Sequence, residues 1–137
     1  MKNLPLEYYE QFPFARKAVI FLRSAKKSNE ITNTDVGSWE VSYYLLSHAV
    51  ELSMKAVARK ETGEEPLRLH DKQKLAYKYL DICKFKNHEL GVIKRLKNLN
   101  NGPGGLRYDN KIKGEFYPFD FRDGVKIVER LLEYFEK

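Results

Sequence analysis

Hydrophobic residues recur at three- and four-residue spacings through most of the chain, the period of an amphipathic helix. The first such segment runs from about Phe14 to Lys27, with Pro13 suited to its first turn. Ala15, Ala18, Val19, Leu22 and Ala25 form its apolar side, and Arg16, Lys17, Arg23, Lys26 and Lys27 flank it. Ser28 to Asn33 reads as a connection. A longer helix follows, capped by Thr34 or Asp35 and reaching about Lys60. At about 100° per residue, Trp39, Tyr43, Leu46, Val50 and Val57 fall within an arc of about 60°. Leu45, Ala49, Leu52 and Ala56 widen that arc, so this helix needs neighbours on several sides and is expected at the centre of the fold. Its polar ribbon is narrow: Tyr44, His48, Glu51 and Lys55.

Gly63 and Pro66 break the pattern, and His70 or Asp71 opens a third helix packed through Leu75, Ala76, Tyr79 and Leu80. A fourth, from about His88 to Leu99, turns Leu90, Ile93 and Leu96 inward and Lys94, Arg95 and Lys97 outward. Asn98 to Gly105 is the strongest punctuation in the chain. The residues after it, through Phe119, suit either a short hairpin or an aromatic loop across the bundle. A last helix from about Asp120 to Phe135 carries the stripe Phe121, Val125, Val128, Leu132 and Phe135, with Asp120 and Asp123 near its amino end. The prediction is a single all-α domain over residues 1–137: about five helices in a bundle, with an irregular or hairpin insertion before the last.

Composition narrows the class. A chain of 137 residues, 42% hydrophobic and 32% charged, can bury a core without disulfides or structural metal. Its apolar runs fall far short of the roughly 20 residues of a spanning helix, so no membrane association is expected. Cys83 is the single cysteine, which excludes an intrachain disulfide and is best read as a core or boundary thiol; with no signal-peptide pattern, a reducing cytoplasm is the expected compartment. The net charge of +6 is confined to the middle of the chain. Residues 1–54 and 98–137 are each neutral, whereas residues 55–97 hold twelve basic and six acidic side chains. Such a field suits RNA, DNA or an acidic protein surface, or else serves only to keep a helical surface in solution.

Candidate chemistry is sparse. His48, Glu51 and Lys55 stand at one-turn spacings on the polar ribbon, where Glu51 and Lys55 can form an i,i+4 pair and His48 can hydrogen-bond to Glu51. His48, His70 and His88 show no metal-binding spacing, and Gly102 to Gly105 lacks the lysine and hydroxyl of a phosphate loop, so no metal or cofactor is expected. Lys72, Lys74 and Lys78 are the candidate contacts of the basic middle. Arg107 and Tyr108 offer a guanidinium for phosphate and a ring for an unpaired base, or else serve to close one end of the core.

The segment Ala49-Val50-Glu51-Leu52-Ser53-Met54-Lys55-Ala56 resembles the Ala-x-Glu-x-x-x-Lys-Ala region of HEPN-type helical proteins, and the likeness extends loosely from Trp39 to the carboxyl end. The resemblance implies a helical domain, often dimeric, that either cleaves RNA or acts without catalysis beside small nucleotidyltransferases. The ribonucleases of that family carry Arg-x(4 to 6)-His, and no arginine stands at that distance before His48, His70 or His88. No catalytic residue is therefore assigned. The expected function is a noncatalytic HEPN-like accessory or binding protein, a homodimer contacting RNA, a nucleotide-containing ligand or an acidic protein such as a nucleotidyltransferase. The alternatives are a divergent ribonuclease or toxin with a composite site, and a structural homodimer completed by Trp39, Tyr43 or the amino-terminal aromatics.

Overall fold

The computed structural model describes residues 1–32, 39–66, 68–101 and 119–136. Among them are six α-helices and no strand: α1 (Pro13–Thr32), α2 (Trp39–Thr62), α3 (Lys72–Lys78), α4 (Leu80–Cys83), α5 (Asn87–Asn101) and α6 (Phe119–Leu132). Single 3₁₀ turns at Leu6–Tyr9 and Glu133–Phe135 bracket them. The all-α bundle is as the periodicity predicts. The proposed hairpin and the Thr34 or Asp35 cap lie outside the described residues.

Helix α2 is the hub. It shares its largest interface with α1, packs next most extensively on α6, and also touches α3, α4 and α5. The predicted apolar side of α1 is buried in full, Ala15, Ala18, Val19 and Ala25 at 0% exposure and Leu22 at 1%. Pro13 takes the first helical position, and the Phe12 carbonyl accepts the first intrahelical bond, from the Arg16 amide at 2.8 Å. The helix runs on to Thr32, so Ser28 to Thr32 is not the connection that composition suggested. Serine and asparagine lower helix propensity only modestly, and no glycine or proline interrupts the segment.

Along α2, Tyr43, Leu46, Val50 and Val57 are buried as predicted, and Ala49 and Ala56 with them. Tyr43 thus belongs to the core of the chain and offers no surface to an interface. Its hydroxyl accepts the Phe121 amide of α6 at 3.2 Å; burial, eased by this bond, pushes its pKa up to about 12. Gly63, at φ +71°, ends α2 by donating its amide to the Arg59 carbonyl at 2.8 Å, a left-handed position that favours glycine.

The third predicted helix is two short ones. Tyr79 leaves helical geometry at φ −104°, ψ 23°, and Lys84, at φ +54°, closes α4. Helix α5 extends to Asn101, two residues beyond the predicted end near Leu99. Glu89 secures its start. One oxygen accepts the Lys86 amide at 2.9 Å, the returning half of a capping box, while both oxygens receive the Arg130 guanidinium of α6. Asp120, buried at the start of α6, takes a bidentate pair of bonds from Arg95 at 2.8 and 2.9 Å. Arg95 therefore ties α5 to α6 instead of simply facing water.

Candidate functional site

The polar ribbon of α2 is covered. Glu51 is 5% exposed and Lys55 6%, while Tyr44 and His48 are half-buried. The segment entering α3 crosses the ribbon and covers it, with His70 and Lys72 against Glu51. One Glu51 oxygen accepts a hydrogen bond from Lys55 Nζ at 3.2 Å and lies 3.1 Å from His70 Nδ1; the other stands 3.9 Å from Lys72 Nζ. Lys72 is 1% exposed, which overturns its place in the basic surface. The four-carbon stem of a lysine can cross apolar packing while its ammonium finds a carboxylate, and position 72, at the first turn of α3, points at α2.

The i,i+4 bond between Glu51 and Lys55 forms as spacing predicts, but the imidazole on Glu51 is His70 rather than His48. The His48 ring packs instead between Phe21 and Tyr44, at centroid distances of 5.2 and 4.6 Å. Glu51 is thus the anion that holds α3 onto α2, with its oxygens occupied by cations. A buried carboxylate so engaged is poorly placed to take a proton from a substrate.

Asp71 extends this junction outward. Its carboxylate caps α3 by accepting the Gln73 and Lys74 amides at 3.0 and 3.1 Å, and it pairs with Lys97 of α5 at 3.3 Å. Burial lifts the carboxyl's pKa, but the Lys74 amide, the Lys97 ammonium and the Gln73 amide together outweigh it, and the net shift is downward. A depressed carboxylate stabilises the fold above its unfolded pKa of about 3.9, and that contribution is lost as pH falls through the lower folded value. Asp71→Asn, which keeps an oxygen for the cap, should therefore be less stable than the parent at pH 7, by no more than about 1 kcal/mol for so accessible a pair. Urea melts at a series of pH values should show the gap closing in acid.

The remaining basic residues of the middle segment separate into two groups. Arg59, Arg95 and Lys97 pair with Glu65, Asp120 and Asp71, and Lys60 donates to the Tyr134 carbonyl at 3.1 Å. Arg68, Lys74, Lys78, Lys84, Lys86 and Lys94 are exposed and form no ion pair among the described residues. Two of the three predicted contact lysines, Lys74 and Lys78, are in this set. Between them on α3 stands Tyr77, 58% exposed and the most exposed large hydrophobic side chain among the described residues. At about 100° per residue, Lys74, Tyr77 and Lys78 share an arc of about 100° on the outer face of α3. Tyr77 stands outside the Leu75, Ala76, Tyr79 stripe, and helical periodicity, which marks only packed positions, does not single it out. Arg107 and Tyr108 lie outside the described residues.

Cys83 is buried, and desolvation, moderated by the nearby Arg130 charge, pushes its thiol up to about 12, the state of an unreactive core cysteine at neutral pH. Among the described residues no group of three or more His, Cys, Asp or Glu side chains is placed to hold a metal, and no helix is long and apolar enough to cross a membrane. Comparison with known proteins gives no family model, no curated protein and no solved structure that matches the chain.

Proposed function

We propose that the protein is a noncatalytic, HEPN-like binding protein that holds single-stranded RNA on the outer face of α3. The observation that carries this reading is the exposed Tyr77 ring flanked by Lys74 and Lys78. A tyrosine so exposed contributes little to folding, yet it offers an unpaired base a stacking face, and each lysine can neutralise a phosphate of the same strand. Lys84, Lys86 and Lys94, on the α4–α5 turn and α5, extend the positive field along neighbouring elements. The engagement of Glu51 and the absence of Arg-x(4 to 6)-His from the sequence favour binding over cleavage.

The test is fluorescence anisotropy with a labelled single-stranded RNA at low and moderate salt. Tyr77→Ala should weaken binding by about 5- to 100-fold, the range of one lost base stack. Lys74→Glu with Lys78→Glu should weaken it further and flatten the dependence on salt, because fewer counterions are released. No binding by the parent at about 50 mM salt, or equal binding by parent and variants, rejects the reading. Capture of an acidic protein without RNA would reject it in favour of a protein partner.

A further inference from the structure

A second feature lies at the carboxyl end of α2, among residues that take no part in the α3 surface. A cleft of about 270 Å³ opens where the start of α1, the end of α2 and the carboxyl-terminal 3₁₀ turn meet. Two alanines create it: Ala15 of α1 and Ala56 of α2 line its apolar floor, where larger side chains would fill the space. The rings of Phe12, Phe14 and Phe135 form its walls, with Phe12 and Phe135 tilted against one another at 5.0 Å.

The rim is cationic. Lys60 Nζ is held over the Phe12 and Phe135 rings at 5.5 and 5.0 Å and donates to the Tyr134 carbonyl. The Arg59 guanidinium lies 5.9 Å from the centre of the Phe14 ring. Its anionic partner is Glu65, at 3.2 Å and with a side chain 73% exposed. Such a surface pair contributes little to stability, so another carboxylate can replace Glu65 at modest cost.

We propose that this cleft binds a small aromatic carboxylate, its ring against the half-exposed Phe12 and Phe14 rings and its carboxylate on Arg59 with Lys60 beside it. The size and the charge each restrict the ligand. An enclosed apolar cavity of about 150 Å³ accepts benzene, so a cleft of about 270 Å³ has room for one or two fused rings. Two cations at the mouth of an apolar cleft favour an anion over its neutral isostere.

The probe is 1-naphthoate, with 1-naphthamide as its uncharged counterpart, titrated into the full chain and followed by two-dimensional amide NMR and calorimetry. Saturable binding with a Kd of about 1 mM or tighter is expected, with shifts confined to the starts of α1 and the end of α2. Naphthamide should bind at least about tenfold more weakly, and Arg59→Gln should weaken naphthoate by about the same factor and naphthamide by clearly less. Ala56→Leu, which fills the floor, should abolish binding of both. If that variant is poorly folded, Phe12→Ala at the half-exposed wall gives the same reading through a lower affinity for both probes. The proposal is overturned by the absence of saturable binding, by shifts elsewhere on the protein, or by equal affinity for acid and amide.

Discussion

Glu51→Gln should be among the most destabilising single substitutions in the protein, lowering its stability by about 3–5 kcal/mol. The side chain keeps its shape, so the loss comes from charge alone. Lys55 is buried and donates to this carboxylate, and the buried Lys72 ammonium faces its other oxygen. Removing the anion leaves the buried Lys55 ammonium without its carboxylate, and His70, largely exposed, is the partner best able to turn to solvent. For a chain of this size the change corresponds to a fall of roughly 10–20 °C in Tm, read by circular dichroism. The reverse removal should be mild. Lys55→Met fills nearly the same volume and leaves Glu51 with His70 and Lys72, so a cost within about 1.5 kcal/mol is expected. Equal losses in the two variants would show that Glu51 is not the hub of the α2–α3 junction.

Gly124→Val should cost about 2–3 kcal/mol, although an exchange of glycine for another residue inside a helix ordinarily stabilises it. A Cβ at position 124 would stand 2.8 Å from Leu46 Cδ2 of α2 and 3.3 Å from Leu96 Cδ1 of α5. Those leucines are 0% and 1% exposed, so their methyl groups have little room to move aside. Glycine allows α6 to approach both helices at once. Gly124→Ala sets the two effects against one another: a gain of about 1 kcal/mol in helix propensity against an overpacking penalty of about 1–3 kcal/mol, for a net loss near 1 kcal/mol. Urea unfolding should show a lower midpoint with an unchanged m-value for both variants. A stabilised alanine variant would mean that α6 can slide without cost.

Much of the helical scaffold was open to reading from the chain because a helix's buried side repeats at fixed spacing. The five buried positions of α1, the Tyr43, Leu46, Val50, Val57 line of α2 and Phe121, Val128 and Leu132 of α6 all follow that period, whereas Phe135, predicted to end the last helix, is buried from the 3₁₀ turn beyond it. Asp71 as a cap and Gly63 as a stop follow from local backbone chemistry. Boundaries were less legible. Ser28 to Thr32 and Asn98 to Asn101 have loop-like composition, yet they continue helices in the absence of a residue that forces a break.

The candidate sites divide along the same line. Spacing alone placed Glu51 beside Lys55, since both lie on one helix a turn apart, and the excess of lysine in the middle segment required cations such as Lys74 and Lys78 to find water. Spacing could not place Lys72 against Glu51, exchange His70 for His48, or set Ala15 opposite Ala56 beneath three phenylalanine rings. Those pairings join residues on different elements, and only the packing of α3 and α1 onto α2 decides which side chains meet, which charges are buried, and which, like Tyr77, are left facing solvent.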